Sequence, residues 1–168
     1  MVSPDSVYDL NFICYRYILF RSMKIVLQRV SEASVEIDEV VVGKIGRGLV
    51  ILLCAEKGDS IKDVEYLVEK TIYLRVFDDE QKKMNLSLLD INAEMLIISQ
   101  FTLAGDCRKG RRPGFDKAAE PDLAKKLYLQ FIRSVQNKGV KTAEGKFGAL
   151  MSVNITNDGP VTFILESK

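Results

Sequence analysis

Histidine is absent from all 168 residues. Its absence removes Ser–His and Cys–His nucleophile systems, histidine-liganded zinc and the usual neutral-pH proton shuttle. Any hydrolytic mechanism in this chain has to run without imidazole. Cysteine is scarce: Cys14, Cys54 and Cys107 are scattered and odd in number. Their count excludes a multi-disulfide framework and a four-cysteine zinc site, and points to a reducing, cytoplasmic compartment. Cys54 closes the apolar run 48–55 and reads as a small buried residue. Charge of one sign is not in excess either, because the net charge is +1; any contact with nucleic acid has to be local. Long apolar runs are also missing. The aromatic-rich stretch 7–20 carries Asp9 and Arg16 and is shorter than the roughly 18 to 20 apolar residues of a membrane span. It lacks a basic n-region and a small-residue cleavage site, so it makes a poor signal peptide. No metal-ligand cluster is evident, so neither a metal nor a membrane is expected.

What remains is an ordinary globular composition, 47% hydrophobic and 28% charged, in a length that suits one domain. Residues 1–22 do not share the patterning of the rest and are expected to be an extension outside the fold. Met23 opens a well-patterned strand and is the expected natural start, with residues 23–168 as the domain. Alternation over 24–30, a hairpin across Asp38-Glu39 and a fully apolar run at 49–55 predict strands. Asp59-Ser60 precedes apolar positions Ile61, Val64, Leu67, Val68, Ile72 and Leu74 at helical spacing. Residues 94–102 read as a buried strand. Glu120-Pro121-Asp122 opens a second amphipathic helix that ends at Lys138-Gly139. Segments 140–142, 150–156 and 161–166 complete the sheet. Two helices over many strands predict an α+β single domain with a curved antiparallel or mixed, barrel-like sheet and the helices packed outside.

Three stretches ask for chemistry. Ser99-Gln100-Phe101-Thr102-Leu103 sits at a strand end, where polar residues often face a pocket. Strand ends also commonly carry threonine without any site. Thr102 has no histidine or adjacent lysine to activate it, so a hydroxyl that only hydrogen-bonds is the expected role. Arg108, Lys109, Arg111 and Arg112 place four positive charges in five residues, either a phosphate-binding loop or a solvated surface loop. Asn157-Asp158-Gly159-Pro160-Val161-Thr162 lies between two strands and reads as a turn from its chemistry. The isomer of the Gly159–Pro160 bond cannot be read from sequence.

Taken in order, SQFTL, the Arg-Lys-Gly-Arg-Arg-Pro loop, Gly-Lys-Phe-Gly-Ala-Leu-Met and Asn-Asp-Gly-Pro-Val-Thr closely resemble the D-aminoacyl-tRNA deacylases. Gln28-Arg29-Val30-Ser31, the run 41–53, and Leu74-Arg75-Val76-Phe77 leading to Met84-Asn85-Leu86-Ser87 match as well. The resemblance spans Met23 to about Ser167. It implies a β-barrel-like fold with helices outside, a homodimer, and an active site at the subunit interface. It places Ser99, Gln100, Phe101 and Thr102 in the catalytic pocket. It implies a Gly-cisPro element at Gly159-Pro160 that reaches into the partner's pocket, with Arg29 holding that element. Phe147 and Met151 match residues around the terminal adenosine of tRNA. Two departures stand out: the extra N-terminus, and Gly114 where a serine is common.

The implied reaction is hydrolysis of D-aminoacyl-tRNA without a cofactor. The ester is already labile and carries a vicinal 2′-hydroxyl, so positioning and preorganised donors suffice. On this reading Gln100 and Thr102 orient the substrate and no side chain is acylated. Gly159-Pro160 rejects L-residues by clash. Such a filter cannot reject glycine, so glycyl-tRNA is expected to be cleaved too. Two other readings stand beside it: an L-serine editing domain of similar fold, and a non-catalytic tRNA-binding barrel using only the basic loop. DNA is not an expected partner.

Overall fold

A computed structural model describes residues 22–167 of the chain. Most of the expected extension, residues 1–21, lies outside the described residues, as does Lys168. Ser22 is described and buried.

The frame is one long strand, β1 (Lys24–Ile37), with neighbours on both sides. The Asp38-Glu39 hairpin joins it to β2 (Val40–Ile45). Both turn residues have positive φ, 49° and 65°, the backbone a two-residue hairpin turn requires. On the same side, β3 (Gly48–Cys54) pairs antiparallel with residues 24–30. Its other edge runs parallel to β6 (Glu94–Ser99), and β6 runs parallel to β7 (Thr142–Glu144). Parallel neighbours need a crossover, and each is supplied by one predicted helix: α1 (Ile61–Tyr73) between β3 and β6, α2 (Pro121–Asn137) between β6 and β7. A short hairpin of β4 (Phe77–Asp78) and β5 (Met84–Leu86) follows α1. The far side of β1 is covered along almost its whole length by β8 (Ser152–Glu166), antiparallel.

The sheet nearly closes into a barrel. β2 curls toward β7 so tightly that a Cβ on Gly43 would sit 2.8 Å from the Glu144 carbonyl oxygen. Between β3 and β6 the spacing is closer still at Gly48, where a Cβ would lie 1.9 Å from the Glu94 carbonyl. The apolar run of β3 follows from burial on both faces. Leu49, Ile51 and Leu53 join Met95 and Ile97 of β6 under the helices, with Val64, Leu67, Leu127 and Phe131. Val50 faces the other way, with Leu96, Ile98, Val35 and Ile45, into the barrel interior. Strand β1 serves both cores. Ile25 and Leu27 face the helices, whereas Val30, Ala33 and Val35 face the interior. The switch coincides with register shifts against β8 at Gln28/Val30 and Val30/Glu32, since an extra residue turns a strand's faces over.

Helix α1 starts as expected. The Asp63 carboxylate accepts from the Ser60 N–H and hydroxyl, each at 2.8 Å, which satisfies a free end of the first turn. Among the described residues no helix is long and apolar enough to cross a membrane.

Candidate active site

Strand β6 was expected to run on to Thr102 but stops at Ser99. The Gln100 N–H still donates to the Leu53 carbonyl (2.7 Å), after which the chain winds into a 3₁₀ turn over Phe101–Ala104. Leu103 N–H donates to Gln100 O at 3.2 Å and Gly105 N–H to Thr102 O at 3.0 Å. The turn throws the Phe101 side chain outward, 57% exposed, which a buried strand would not do. Gln100 Nε2 donates to Thr102 Oγ1 across the turn, so the two polar side chains are held as a pair.

This turn forms one wall of a cavity of about 580 Å³. Ser99, Gln100 and Phe101 line it together with Phe147 and Met151 from the segment before β8. Thr102 stands beside it, exposed and bonded to Gln100. The start of α2 forms the opposite wall, where Tyr128 packs on Phe147 with ring centroids 5.8 Å apart. The Tyr128 hydroxyl donates to the Ile97 carbonyl at 2.9 Å and lies 3.5 Å from the Gly145 carbonyl. Burial, with the Glu144 carboxylate nearby, holds that phenol far above the ordinary tyrosine range. It acts as a neutral tie between β6 and the segment that carries Phe147. Met151 Sδ packs directly on Gly145, 2.5 Å from where a Cβ would be, so a larger residue there would push the Met151 side chain aside. Cys54 also lines the cavity, buried as expected, with Sγ 3.5 Å from the Phe101 carbonyl. Burial, reinforced by Glu56, pushes its thiol up to about 11, so it is protonated and no nucleophile at neutral pH.

A second cluster forms where β1 and β8 pair. The Asn157–Thr162 stretch was expected as a turn between two strands, but β8 continues through it. Gln28 pairs with Thr162 and Val30 with Asn157, so Arg29 alone on β1 faces the four residues 158–161 on β8, which bulge out of the ladder. The bulge carries Gly159-Pro160, whose peptide bond is cis, and Gly159 has φ +134°. A Cβ on Gly159 would meet Val161 N at 2.8 Å and Val161 Cγ2 at 2.7 Å. Beneath the bulge, Arg29 is buried. Its Nε donates to Asp158 O at 3.0 Å and its Nη1 to Val76 O at 2.7 Å. Asp158 and Asp78 carboxylates lie 3.3 and 3.4 Å from the guanidinium. Neither Arg29, Gly159 nor Pro160 lines the cavity of Ser99–Phe101. The expected site residues therefore fall into two groups within one chain.

The basic loop flanks the cavity. Asp106 and Gly114 exchange backbone hydrogen bonds of 2.7 and 3.0 Å and tie off residues 107–113. Phe115 then packs edge-on against Phe101, centroids 5.1 Å apart, which docks the loop's base on the 3₁₀ turn. Arg108 is paired with Asp106 through its Nε (2.9 Å) and Nη2. This guanidinium holds the Asp106 carboxyl well below the usual carboxylate range. Lys109, Arg111 and Arg112 are exposed and, among the described residues, make no ion pair. Sequence reasoning passed over Tyr128 and Phe115. Tyr128 sits beside Leu127 on the apolar stripe of α2, where its ring is indistinguishable from core. Phe115 follows a loop without any periodicity to flag it.

A family model described as D-Tyr-tRNA(Tyr) deacylase matches residues 26–166. A D-aminoacyl-tRNA deacylase of Thermosipho africanus is 57% identical over 146 residues, covering 87% of this chain and 98% of that protein. One from Clostridioides difficile is 52% identical over 145 residues, covering 86% and 97%. Among solved structures, one titled c-Myc DNA Unwinding Element Binding Protein superposes with TM-score 0.80 at 41% identity, covering 86% of this chain and 99% of the other. A probable eukaryotic D-amino acid tRNA deacylase shares the fold at TM-score 0.75 and 19% identity, over 86% and 99% of the two chains.

Proposed function

The chain belongs to the D-Tyr-tRNA(Tyr) deacylase family, and on that premise we propose that it hydrolyses the ester linking a D-amino acid to tRNA, in the cytoplasm, using residues 23–168 and no metal or cofactor. The observation that carries this reading is the cavity in which Ser99, Gln100 and Phe101 face Phe147 and Met151, with the basic loop docked at its edge. Water adds to the ester carbonyl, the ribose oxygen leaves, and the proton lost by water ends on that oxygen. The products are free tRNA and the amino acid. Gln100 and Thr102, fixed to each other, orient the ester. The first N–H groups of a helical turn have no acceptor within it, so the 3₁₀ turn offers donors to charge that develops on the carbonyl oxygen. No side chain is acylated: histidine is absent and the Cys54 thiol stays protonated. Phe147 and Met151 receive the terminal adenosine, while Lys109, Arg111 and Arg112 grip phosphates.

The working unit on this reading is a homodimer with the site at its interface. Two observations support it. The outer edge of β8 pairs with no strand among the described residues, and Ile164 on it is 71% exposed with Leu150, just before it, at 95%. The Gly159-Pro160 bulge also lies outside its own chain's cavity, so it has to enter a second copy's cavity to act on substrate. There, backbone held by Arg29 occupies the space an L side chain would need, and D-residues pass. Glycine presents no side chain to clash, so glycyl-tRNA is a slower substrate.

The test is hydrolysis of matched D-tyrosyl-tRNA and L-tyrosyl-tRNA, with and without chelator. Loss of the D-ester alone, unchanged by chelator, is expected. Equal loss of both esters would remove the chiral filter from Gly159-Pro160, and loss of neither would leave a tRNA-binding barrel. Failure to cleave glycyl-tRNA at high enzyme would refute rejection by clash.

A further inference from the structure

The 3₁₀ turn over Phe101–Ala104 is held at two places. Strand β3 holds its start: the Gln100 N–H is bonded to the Leu53 carbonyl at 2.7 Å, and Cys54 Sγ lies 3.5 Å from the Phe101 carbonyl. Phe115 holds its ring and its end. It stands edge-on to Phe101 with centroids 5.1 Å apart. It also lies over Gly105, where a Cβ would come within 3.2 Å of Phe115 Cε1 and 2.9 Å of the Thr102 carbonyl oxygen. Phe115 thus sits beside the hydrogen bond that closes the turn, from Gly105 N–H to Thr102 O at 3.0 Å. Core packing does not account for this residue, which is 37% exposed and outside both core clusters.

Phe115 is also where the basic loop returns. Asp106 and Gly114 close the loop by exchanging backbone hydrogen bonds. Downstream, Ala118 N–H donates to Phe115 O at 3.0 Å, Lys57 N–H to Lys117 O at 2.9 Å and Ala119 N–H to Ala55 O at 3.0 Å. The chain after Phe115 is therefore fixed to the segment that follows β3, as the chain before Phe101 is fixed to β3 itself. Between these anchored stretches the loop carries exposed Lys109, Arg111 and Arg112, which make no ion pair among the described residues. Phosphates gathered by those charges stiffen a loop whose base bears on the Phe101 ring.

We propose that Phe115 is a positioning residue that transmits phosphate engagement by the basic loop to the Gln100–Thr102 turn, so that the ester is hydrolysed faster on tRNA than on bare adenosine even at saturation. This rests on the deacylase reading above and gives the body of the tRNA a part in the chemical step. A grip felt equally by the bound ester and its transition state would improve affinity alone. A grip that steadies Gln100 and Thr102 acts on the orientation of the ester, and so on the rate once it is bound. The effect passes through one aromatic pair and is limited by what such a pair contributes, about three- to ten-fold in rate.

The test compares D-tyrosyl-tRNA with 3′-O-D-tyrosyl-adenosine, which has the same ester and base but no phosphate, in single turnovers at saturating protein. The unsubstituted protein is expected to hydrolyse the tRNA ester about three- to ten-fold faster. In Phe115→Ala that advantage is expected to shrink to within about two-fold. Any general damage to the turn slows both substrates and divides out of the ratio. An advantage that survives in Phe115→Ala, with or without a change in tRNA affinity, overturns the proposal, as does its absence from the unsubstituted protein. Hydrolysis of neither ester by the unsubstituted protein removes the deacylase reading itself, and the proposal with it. If circular dichroism shows that the alanine protein does not fold, Phe115→Leu, which keeps part of the bulk and lacks the ring, carries the same comparison with the same outcomes.

Discussion

Replacing Arg29 by methionine keeps most of the buried stem and removes the guanidinium. The Val76 carbonyl, buried and bonded to Nη1 at 2.7 Å, then loses its donor, at a cost of about 1–3 kcal/mol. The half-buried Asp158 carbonyl, bonded to Nε at 3.0 Å, adds roughly 1 kcal/mol. The ion pairs with Asp78 and Asp158 add little, because both carboxylates are well exposed and solvent screens such pairs. The expected loss is therefore about 3 kcal/mol, or roughly 6–12 °C in melting temperature for a domain of this size. Arg29→Lys should recover part of this, since one ammonium reaches one carbonyl but cannot fork to both. Activity should fall further than stability. Assayed well below either melting point, D-tyrosyl-tRNA hydrolysis should drop about ten-fold or more in both variants, because the bulge carrying Gly159-Pro160 loses its anchor and misplacement by an ångström is costly. Thermal melts followed by circular dichroism and single-turnover hydrolysis read the two effects separately. An Arg29→Met protein that melts within about 2 °C of the parent and hydrolyses within about two-fold would show that Arg29 does not hold the bulge.

Three further outcomes follow from the same geometry. Alanine at Lys109, Arg111 or Arg112 should weaken tRNA binding and flatten its salt dependence by roughly 0.7–0.9 in log–log slope for each phosphate no longer neutralised; Arg108→Ala should do less, since Arg108 is already paired with Asp106. Iodoacetamide at pH 8 should label exposed Cys107 well before Cys54, because a thiol pushed from 9.0 to about 11 forms about 100-fold less thiolate; equal rates by peptide mass spectrometry would contradict the burial. Gly48→Ala should cost about 3 kcal/mol or more in urea unfolding, as its Cβ would sit 1.9 Å from the Glu94 carbonyl, and an unchanged midpoint would mean that β3 and β6 are not so tightly joined.

Features that rest on local chemistry were legible in the sequence. The Asp38-Glu39 turn, the Ser60 start of α1 and the Lys138-Gly139 end of α2 depend on a few adjacent residues, and the structure has them where the pattern puts them. The fully apolar β3 was legible as a strand, but its two-faced burial depends on which elements cover it. What escaped depends on residues distant in sequence. Gly-Pro chemistry says turn, yet β1 supplies a partner on both sides of residues 158–161 and turns that stretch into a bulge. The 3₁₀ turn at Phe101 replaces the end of a predicted strand because the chain must leave the sheet beside the Leu53 carbonyl. Of the site, the residues drawn from motifs were named in advance. Their division into a cavity group and a bulge group was not, because it depends on which way each side of β1 faces.

The first strand of this domain is flanked throughout by its last. Lys24 pairs with Glu166 and Glu36 with Ser152, so the ladder that frames both cores cannot form until nearly the whole chain has left the ribosome. Pairing between distant segments is slow and leaves strand edges exposed meanwhile. The two crossover helices and the β3–β6–β7 ribbon can assemble while synthesis continues, but the outer edge of β1 must wait unpaired. A nascent chain stalled before Ser152 should therefore be a client for chaperones, and truncations from the C-terminal end should abolish solubility abruptly rather than by degrees. The enzyme comes into being at the moment its final fifteen-residue strand arrives, with the Gly159-Pro160 bulge delivered by the same segment that completes the fold.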